Sequence, residues 1–203
     1  LTTFFIILSA TYFAKSQHFD IQGHRGCRGL MPENSMPGFF KAIDLGVTTI
    51  EMDVVISAEG KVVVSHDHYF SSEFCVNELG LPISKKEAKS ISIYDLDYED
   101  VKLFDCGIVG HPDFPQQQKI STVKPLLCDV IQQCEQYVDS RGSKPISYNI
   151  ELKSAPSGDN VRHPEPEFFT RLVNESIKDL MPAERIIIQS FDPKNAKRAH
   201  ELK

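Results

Sequence analysis

Apolar, β-branched stretches recur along this chain, and they end on polar groups. Residues 19–23 run into His24-Arg25-Gly26, and residues 48–56 carry Glu51 and Asp53. Residues 62–65 lead to His66-Asp67, and residues 147–150 to Glu151-Leu152-Lys153. One such ending is an accident; four in succession point to a ring of parallel strands that deliver their last side chains to one mouth. Between the first two strands, Pro32-Glu33-Asn34-Ser35 reads as a turn that opens a helix. Asn34 or Ser35 is its N-cap, Phe39, Phe40, Ile43 and Leu45 form its apolar face, and Gly46 ends it. Glu59-Gly60 makes a tight turn into residues 61–65, so these two strands are joined without a helix.

Residues 69–125 lack sustained periodicity and carry Gly80, Pro82, Gly107, Gly110, Pro112 and Pro115. A structureless loop of that length does not suit a compact domain. The segment therefore reads as an inserted subdomain with a short helix near residues 93–99. Regular alternation then resumes: helix 126–138, strand 147–153, helix 166–180, strand 186–189 and helix 193–203. Strand–helix alternation implies a parallel sheet with helices outside it. Five strands fall short of the eight that close a barrel in about 250 residues. The final helical pattern also has no cap, so the expectation is a barrel incomplete at its C-terminus.

Composition narrows the classes. At 203 residues, 41 % hydrophobic and 25 % charged, the chain suits one domain with a full core. A net charge of −6 with no basic stripe argues against a nucleic-acid surface. Residues 2–14 are nearly free of charge and rich in Phe, Ile and Leu, and Ala14 and Ser16 fit the −3 and −1 positions of a cleavage site. Residues 1–16 thus read as a secretory signal whose start is cut off, and residues 17–203 as an exported domain, periplasmic or extracellular. A buried first strand or helix is the alternative. The run is shorter than the roughly 20 apolar residues of a membrane span. Five cysteines cannot all pair internally and none has CxxC spacing; an oxidising compartment permits a disulfide such as Cys75–Cys106, but spacing does not select a pairing.

Each candidate group has a bland reading. Glu51 and Asp53, at i and i+2, share a strand face that is normally solvent. Their apolar neighbours Ile50, Met52, Val54 and Val55 imply burial, which a hard cation such as Mg²⁺ or Ca²⁺ would offset. Glu151 and Lys153 repeat the spacing and also fit an exposed ion pair. His24 and His66, at the ends of apolar runs, suit a general acid and base because imidazole titrates near neutrality. Asp67 could orient His66, but adjacent residues on a strand face opposite ways, so a turn role suits it better. His68, His111, His163 and His200 read as ordinary.

Taken in order, His24-Arg25-Gly26, Pro32-Glu33-Asn34-Ser35, Glu51-x-Asp53, Val63-Val64-x-His66-Asp67, Asp105-Cys106-Gly107, Ile150-Glu151-Leu152-Lys153 and Gln189-Ser190-Phe191-Asp192 closely resemble the glycerophosphodiester phosphodiesterase family. The resemblance runs from about residue 19 to the end. It implies a TIM (β/α)₈ barrel with a small insertion after the third strand. It implies Glu51, Asp53 and Glu151 as ligands of a divalent cation, Mg²⁺ or Ca²⁺. His24 and His66 are then the acid/base pair, and Arg25 and Lys153 the phosphate-binding cations. The implied reaction hydrolyses glycerophosphodiesters, small-molecule substrates, to sn-glycerol 3-phosphate and an alcohol. Rival readings are a phosphatidylinositol-type phospholipase C or lysophospholipase D on the same barrel, or a non-catalytic exported binding domain. Ser35 and Cys106 depart mildly from the family pattern.

Overall fold

The computed structural model describes residues 19–201; the leader-like stretch 1–16 lies outside them. Its centre is a five-stranded sheet of β1 (Gln22–Gly23), β2 (Thr49–Ile56), β3 (Val62–Val64), β4 (Ser147–Leu152) and β5 (Ile186–Gln189). The helices are α1 (Met36–Asp44), the short α2 (Lys85–Ser90) and α3 (Tyr98–Val101), α4 (Leu127–Ser140), α5 (Pro166–Ile177) and α6 (Pro193–Glu201). β1, β2, β4 and β5 lie side by side and parallel, with Asp53 of β2 directly opposite Glu151 of β4. Parallel neighbours need crossovers, supplied here by α1, by α4 and by α5. This is the expected α/β barrel framework, with four strands parallel and β3 off their path, paired to β2.

Three expectations need correction. β3 is antiparallel to β2, with Val54 opposite Val64 and Ile56 opposite Val62, so the ring of parallel strands contains one return. The cause was visible in the Glu59-Gly60 turn, since so short a link permits only a hairpin; Gly60 takes the left-handed conformation (φ +81°) that the turn needs. β2 runs past its parallel neighbours and β3 folds back alongside it, bringing His66 to the mouth from the opposite direction. The first strand shrinks from residues 19–23 to Gln22–Gly23, leaving Phe19 and Ile21 exposed at the sheet edge. Leu45 is also exposed, because it is the C-cap of α1 and not part of its apolar face.

Strand alternation divides the core. Ile50, Met52, Val54 and Ile56 of β2 and Tyr148, Ile150 and Leu152 of β4 pack against Phe39, Ile43, Leu127, Ile131, Phe169 and Val173 of the helices. Each such burial contributes roughly 1.5–3 kcal/mol. Ser35 caps α1, its hydroxyl accepting from the Gly38 N–H at 3.2 Å. The opposite strand face carries Glu51, Asp53, Asn149 and Glu151, all buried.

Between β3 and α4 the chain builds a second, smaller core, in which Val55 and Val63 meet Phe70, Ile83, Ile93 and Val101. The Phe70 and Phe104 rings stack at 3.8 Å. The predicted helix near residues 93–99 arrives as a 3₁₀ turn (Ile93–Asp95) followed by α3. α2 was not foreseen, although Ser84 and Glu87 form the capping box that opens it.

A Cys75–Cys106 disulfide closes this second core; Cys27, Cys128 and Cys134 are free. The bridged residues are 31 apart, so removing the cross-link through Cys75→Ser with Cys106→Ser costs about 3–4 kcal/mol by chain entropy. Urea unfolding of the double variant should show a lower midpoint. An unchanged midpoint contradicts a structural role for the bridge.

Candidate active site

The site begins where β1 ends. Arg25 takes a left-handed conformation (φ +52°), costly for a side chain of its kind, and this aims its N–H at Glu51 Oε2, 2.7 Å away. Gly26 follows at φ +79°, where a Cβ would sit 2.9 Å from the Gly38 carbonyl carbon and the Phe39 ring. Its N–H donates to the carbonyls of Gly23 and Glu51, which closes the turn onto β2.

Glu51, Asp53 and Glu151 each offer an oxygen within 4.8 Å of the others. Asp53, 1 % exposed, accepts from Asn34 Nδ2 at 2.9 Å, and its own N–H donates to Asn34 Oδ1 at 3.2 Å. Lys153 Nζ lies 2.7 Å from Glu151 Oε1 and 3.6 Å from Asp53 Oδ1, so Glu151 and Lys153 form a partly enclosed pair rather than a solvated one. Arg25 Nε is 3.5 Å from Asp53 Oδ2, and its NH1 is held by Glu33 at 3.0 Å. Burial pushes the Glu51 carboxyl up to about 7; the Arg25 N–H opposes this, and the Asp53 and Glu151 charges add to it. A converging trio of buried oxygen donors with one member reluctant to ionise fits a hard divalent cation. The charge count agrees. Three carboxylates against Arg25 and Lys153 leave one negative charge, and a divalent ion with a phosphodiester monoanion brings the total to zero.

His24 and His66 line one cleft of about 390 Å³ with Arg25, Glu51, Glu151 and Lys153. Partial burial lowers the His24 pKa below the usual imidazole range, helped by the Arg25 and Arg28 charges and opposed by Asp53 and Glu33. His66 Nδ1 meets Asp67 Oδ1 at 3.1 Å, which corrects the turn role assigned to Asp67. Strand alternation does not apply there, because β3 ends at Val64 and residues 66–68 form a bend. Burial raises the Asp67 carboxyl, but the His66 hydrogen bond and the His66, Lys124 and Arg25 charges outweigh it and leave the group below its usual value.

His68 is pushed down to about 4 by burial, then by the neighbouring charges of His163 and Arg162. Its ring lies 5.3 Å from that of His163, which is itself 1 % exposed. The unfolded chain binds a proton on this residue below about 6.5, and the folded chain only below about 4. Stability therefore falls as pH falls through that window, by up to about 3 kcal/mol. Replacing His68 with Phe should flatten the decline in urea-unfolding free energy between pH 6.5 and 4; an unchanged slope contradicts this.

Several site residues escaped sequence reasoning. Glu33 pairs with two arginines: its Oε1 accepts from Arg25 at 3.0 Å, and its Oε2 lies 3.0 Å from the Arg28 guanidinium as an ion pair. Asn34 clamps Asp53, and Gln189 Nε2 lies 3.4 Å from Glu151 Oε2. Phe191, 82 % exposed, forms an outer wall of the cleft. Glu33 and Asn34 stood in the turn motif Pro32-Glu33-Asn34-Ser35, and Gln189 and Phe191 in the motif Gln189-Ser190-Phe191-Asp192, but only the fold shows what each touches.

Fold and site together define a class: a parallel α/β barrel with an acidic mouth able to hold a cation, rimmed by two histidines and two fixed cations. Residues 24–203 match the glycerophosphoryl diester phosphodiesterase family, and the chain belongs to it. A glycerophosphodiester phosphodiesterase of Bacillus altitudinis is 30 % identical over 182 residues, 90 % of this chain and 62 % of that protein. One from Caldanaerobacter subterraneus subsp. tengcongensis is 30 % identical over 169 residues, 83 % and 56 % of the two chains. Among solved structures, a Silicibacter pomeroyi protein assigned as a glycerophosphoryl diester phosphodiesterase superposes with a TM-score of 0.79 at 25 % identity, covering 93 % of this chain and 62 % of that one. A phosphodiesterase of Oleispira antarctica in complex with the product sn-glycerol-3-phosphate superposes with a TM-score of 0.65 at 23 % identity, covering 90 % and 62 %. The chain thus spans 56–62 % of the length of these two curated relatives.

Proposed function

We propose that this chain carries the active site of a phosphodiesterase that hydrolyses glycerophosphodiesters to sn-glycerol 3-phosphate and an alcohol, using Mg²⁺ or Ca²⁺. The observation that carries the reading is the meeting of Glu51, Glu151, Arg25, Lys153, His24 and His66 in one cleft, with an oxygen of the buried Asp53 within 4.8 Å of the other two carboxylates. The names of the Bacillus and Caldanaerobacter relatives, and the product held by the Oleispira structure, support the choice of substrate.

Glu51, Asp53 and Glu151 would hold the cation, which would supply Lewis-acid stabilisation of charge on the phosphoryl group. Arg25, its guanidinium fixed by Glu33, offers two parallel donors to the phosphate, and Lys153 adds a point charge. His24, kept neutral by its surroundings, is ready to accept a proton from the attacking hydroxyl, of water or of the glycerol C2. His66, whose Nδ1 is engaged by Asp67, exchanges the second proton through Nε2 with the leaving alcohol. Phosphorus NMR of the products from glycerophosphoethanolamine tests the reading. Glycerol 3-phosphate with free ethanolamine is expected; phosphoethanolamine with glycerol places the cut on the other side of phosphorus and overturns it.

The same proposal places the protein outside the cytoplasm, in the periplasm or beyond. Support comes from the leader-like stretch 1–16 and from the disulfide, a bond that persists in oxidising compartments. Fractionation of the producing cells should recover it there with Cys75–Cys106 intact. Recovery in the cytosol with both thiols free contradicts export.

A further inference from the structure

Lys124 lies three residues before α4, at the end of the second core, and its backbone is stitched to β3. The Pro125 carbonyl accepts from the Val64 N–H at 2.8 Å, and Leu126 bridges Val63. The Tyr98 hydroxyl donates to the Lys124 carbonyl at 3.2 Å. The side chain then crosses to the bend after β3, where Nζ donates to Ser65 Oγ at 2.9 Å and lies 5.7 Å from the centroid of the Phe70 ring. Ser65 passes the bond on: its Oγ donates to the Asp67 carbonyl at 2.7 Å, and its N–H donates to the Asp53 carbonyl at 2.9 Å. Asp67 in turn meets His66 Nδ1 at 3.1 Å.

An ammonium drawn out of water onto an aromatic wall is costly unless it is hydrogen-bonded or paired. Lys124 has no carboxylate within ion-pair distance among the described residues; Glu33, Asp67 and Asp53 act on it from farther away, against burial and Arg25. What it does hold is the bend past the end of β3, residues 66–68, reached just after the Ser65 N–H makes the last bond to β2. Backbone bonds anchor its ends, from the Ser65 N–H to the Asp53 carbonyl and from the Ile93 N–H to the His68 carbonyl at 2.8 Å, and between them the bend relies on side-chain bonds for its order.

We propose that Lys124 is a positioning residue for His66: through Ser65 and Asp67 it fixes the bend that aims the imidazole into the cleft. The acid/base group is then set by the second core and not by the barrel strand preceding it. The catalytic consequence rests on the phosphodiesterase reading; the positioning itself does not.

The test uses Lys124→Met, Lys124→Arg and Ser65→Ala in the intact protein, read in two ways. In histidine-selective NMR, Lys124→Met should shift and broaden the His66 ring resonances, assigned with His66→Gln, while those of His111 and His200 stay in place. Lys124→Arg should restore them. In turnover of glycerophosphocholine, Lys124→Met should lower kcat by roughly 10–100-fold, with KM within about twofold. Combining it with Ser65→Ala should cost little more than either change alone, because both break one chain of bonds. Should Lys124→Met fail to fold, Ser65→Ala carries the same two expectations. Unmoved His66 resonances in a folded variant, or fully additive losses, overturn the proposal. A wild-type protein without turnover overturns only the phosphodiesterase reading, because the resonances still decide the positioning.

Discussion

His66→Ala and His24→Ala should each lower kcat on glycerophosphocholine by roughly 10²–10⁴-fold, the range typical of losing a general acid or base. Both rings line the cleft and neither fills a core position, so thermal unfolding should barely move. The two variants should differ in their pH profiles. His24 has its pKa lowered by partial burial and by Arg25 and Arg28, so it stays competent as a base to below the usual imidazole range. Removing it therefore removes the acidic limb of the rate profile. Asp67→Asn keeps the ring in place but changes its partner, and it should cost 10- to 100-fold, as for other groups that orient a reacting residue. Near-normal turnover by either alanine variant would falsify the two-histidine assignment.

Asp53→Ala removes the most enclosed of the three carboxylates, and chelation removes the ion it helps to hold. Each should abolish turnover to the limit of detection, with added Mg²⁺ or Ca²⁺ rescuing only the chelated wild type. Glu51 gives this prediction a pH sign. In the ion-free protein its carboxyl lies at about 7, with Asp53, Glu151 and Arg25 facing it. The unfolded chain releases that proton near 4.5, so ion-free stability falls as pH rises from about 4.5 to 7. A cation must displace the same proton. Its affinity should therefore fall by up to about tenfold per pH unit below 7, with proton release on binding. Calorimetry in buffers of different ionisation enthalpy measures that release, and binding with no proton release at pH 6 contradicts it.

The strands and the i, i+2 carboxylate pairs were legible because side-chain alternation is a property of the local backbone. Glu51, Asp53 and Glu151 lie on regular strands and Lys153 directly follows one, its N–H still bonded to the Val54 carbonyl, and all four reach one cleft or its edge. The hairpin was legible too, but only if the brevity of the Glu59-Gly60 link is weighed above the pull of a uniform parallel pattern. Asn34, Glu33 and Asp67 were not legible as site residues. Their roles depend on the left-handed backbone at Arg25 and Asn34, and on a bend beyond β3 where alternation lapses. Lys124 meets Ser65 across 59 residues, and no local pattern encodes a contact of that span. What periodicity supplies is the direction of side chains on regular elements. The second layer of this site hangs on irregular ones.

The central claim is that these residues form a metal-dependent glycerophosphodiesterase site. It is tested most directly by measuring release of sn-glycerol 3-phosphate from glycerophosphocholine by the intact protein, with Mg²⁺ or Ca²⁺ and again after chelation. The predicted result is release that needs the cation and that His24→Ala abolishes. No release with either cation, from a folded protein, contradicts the account.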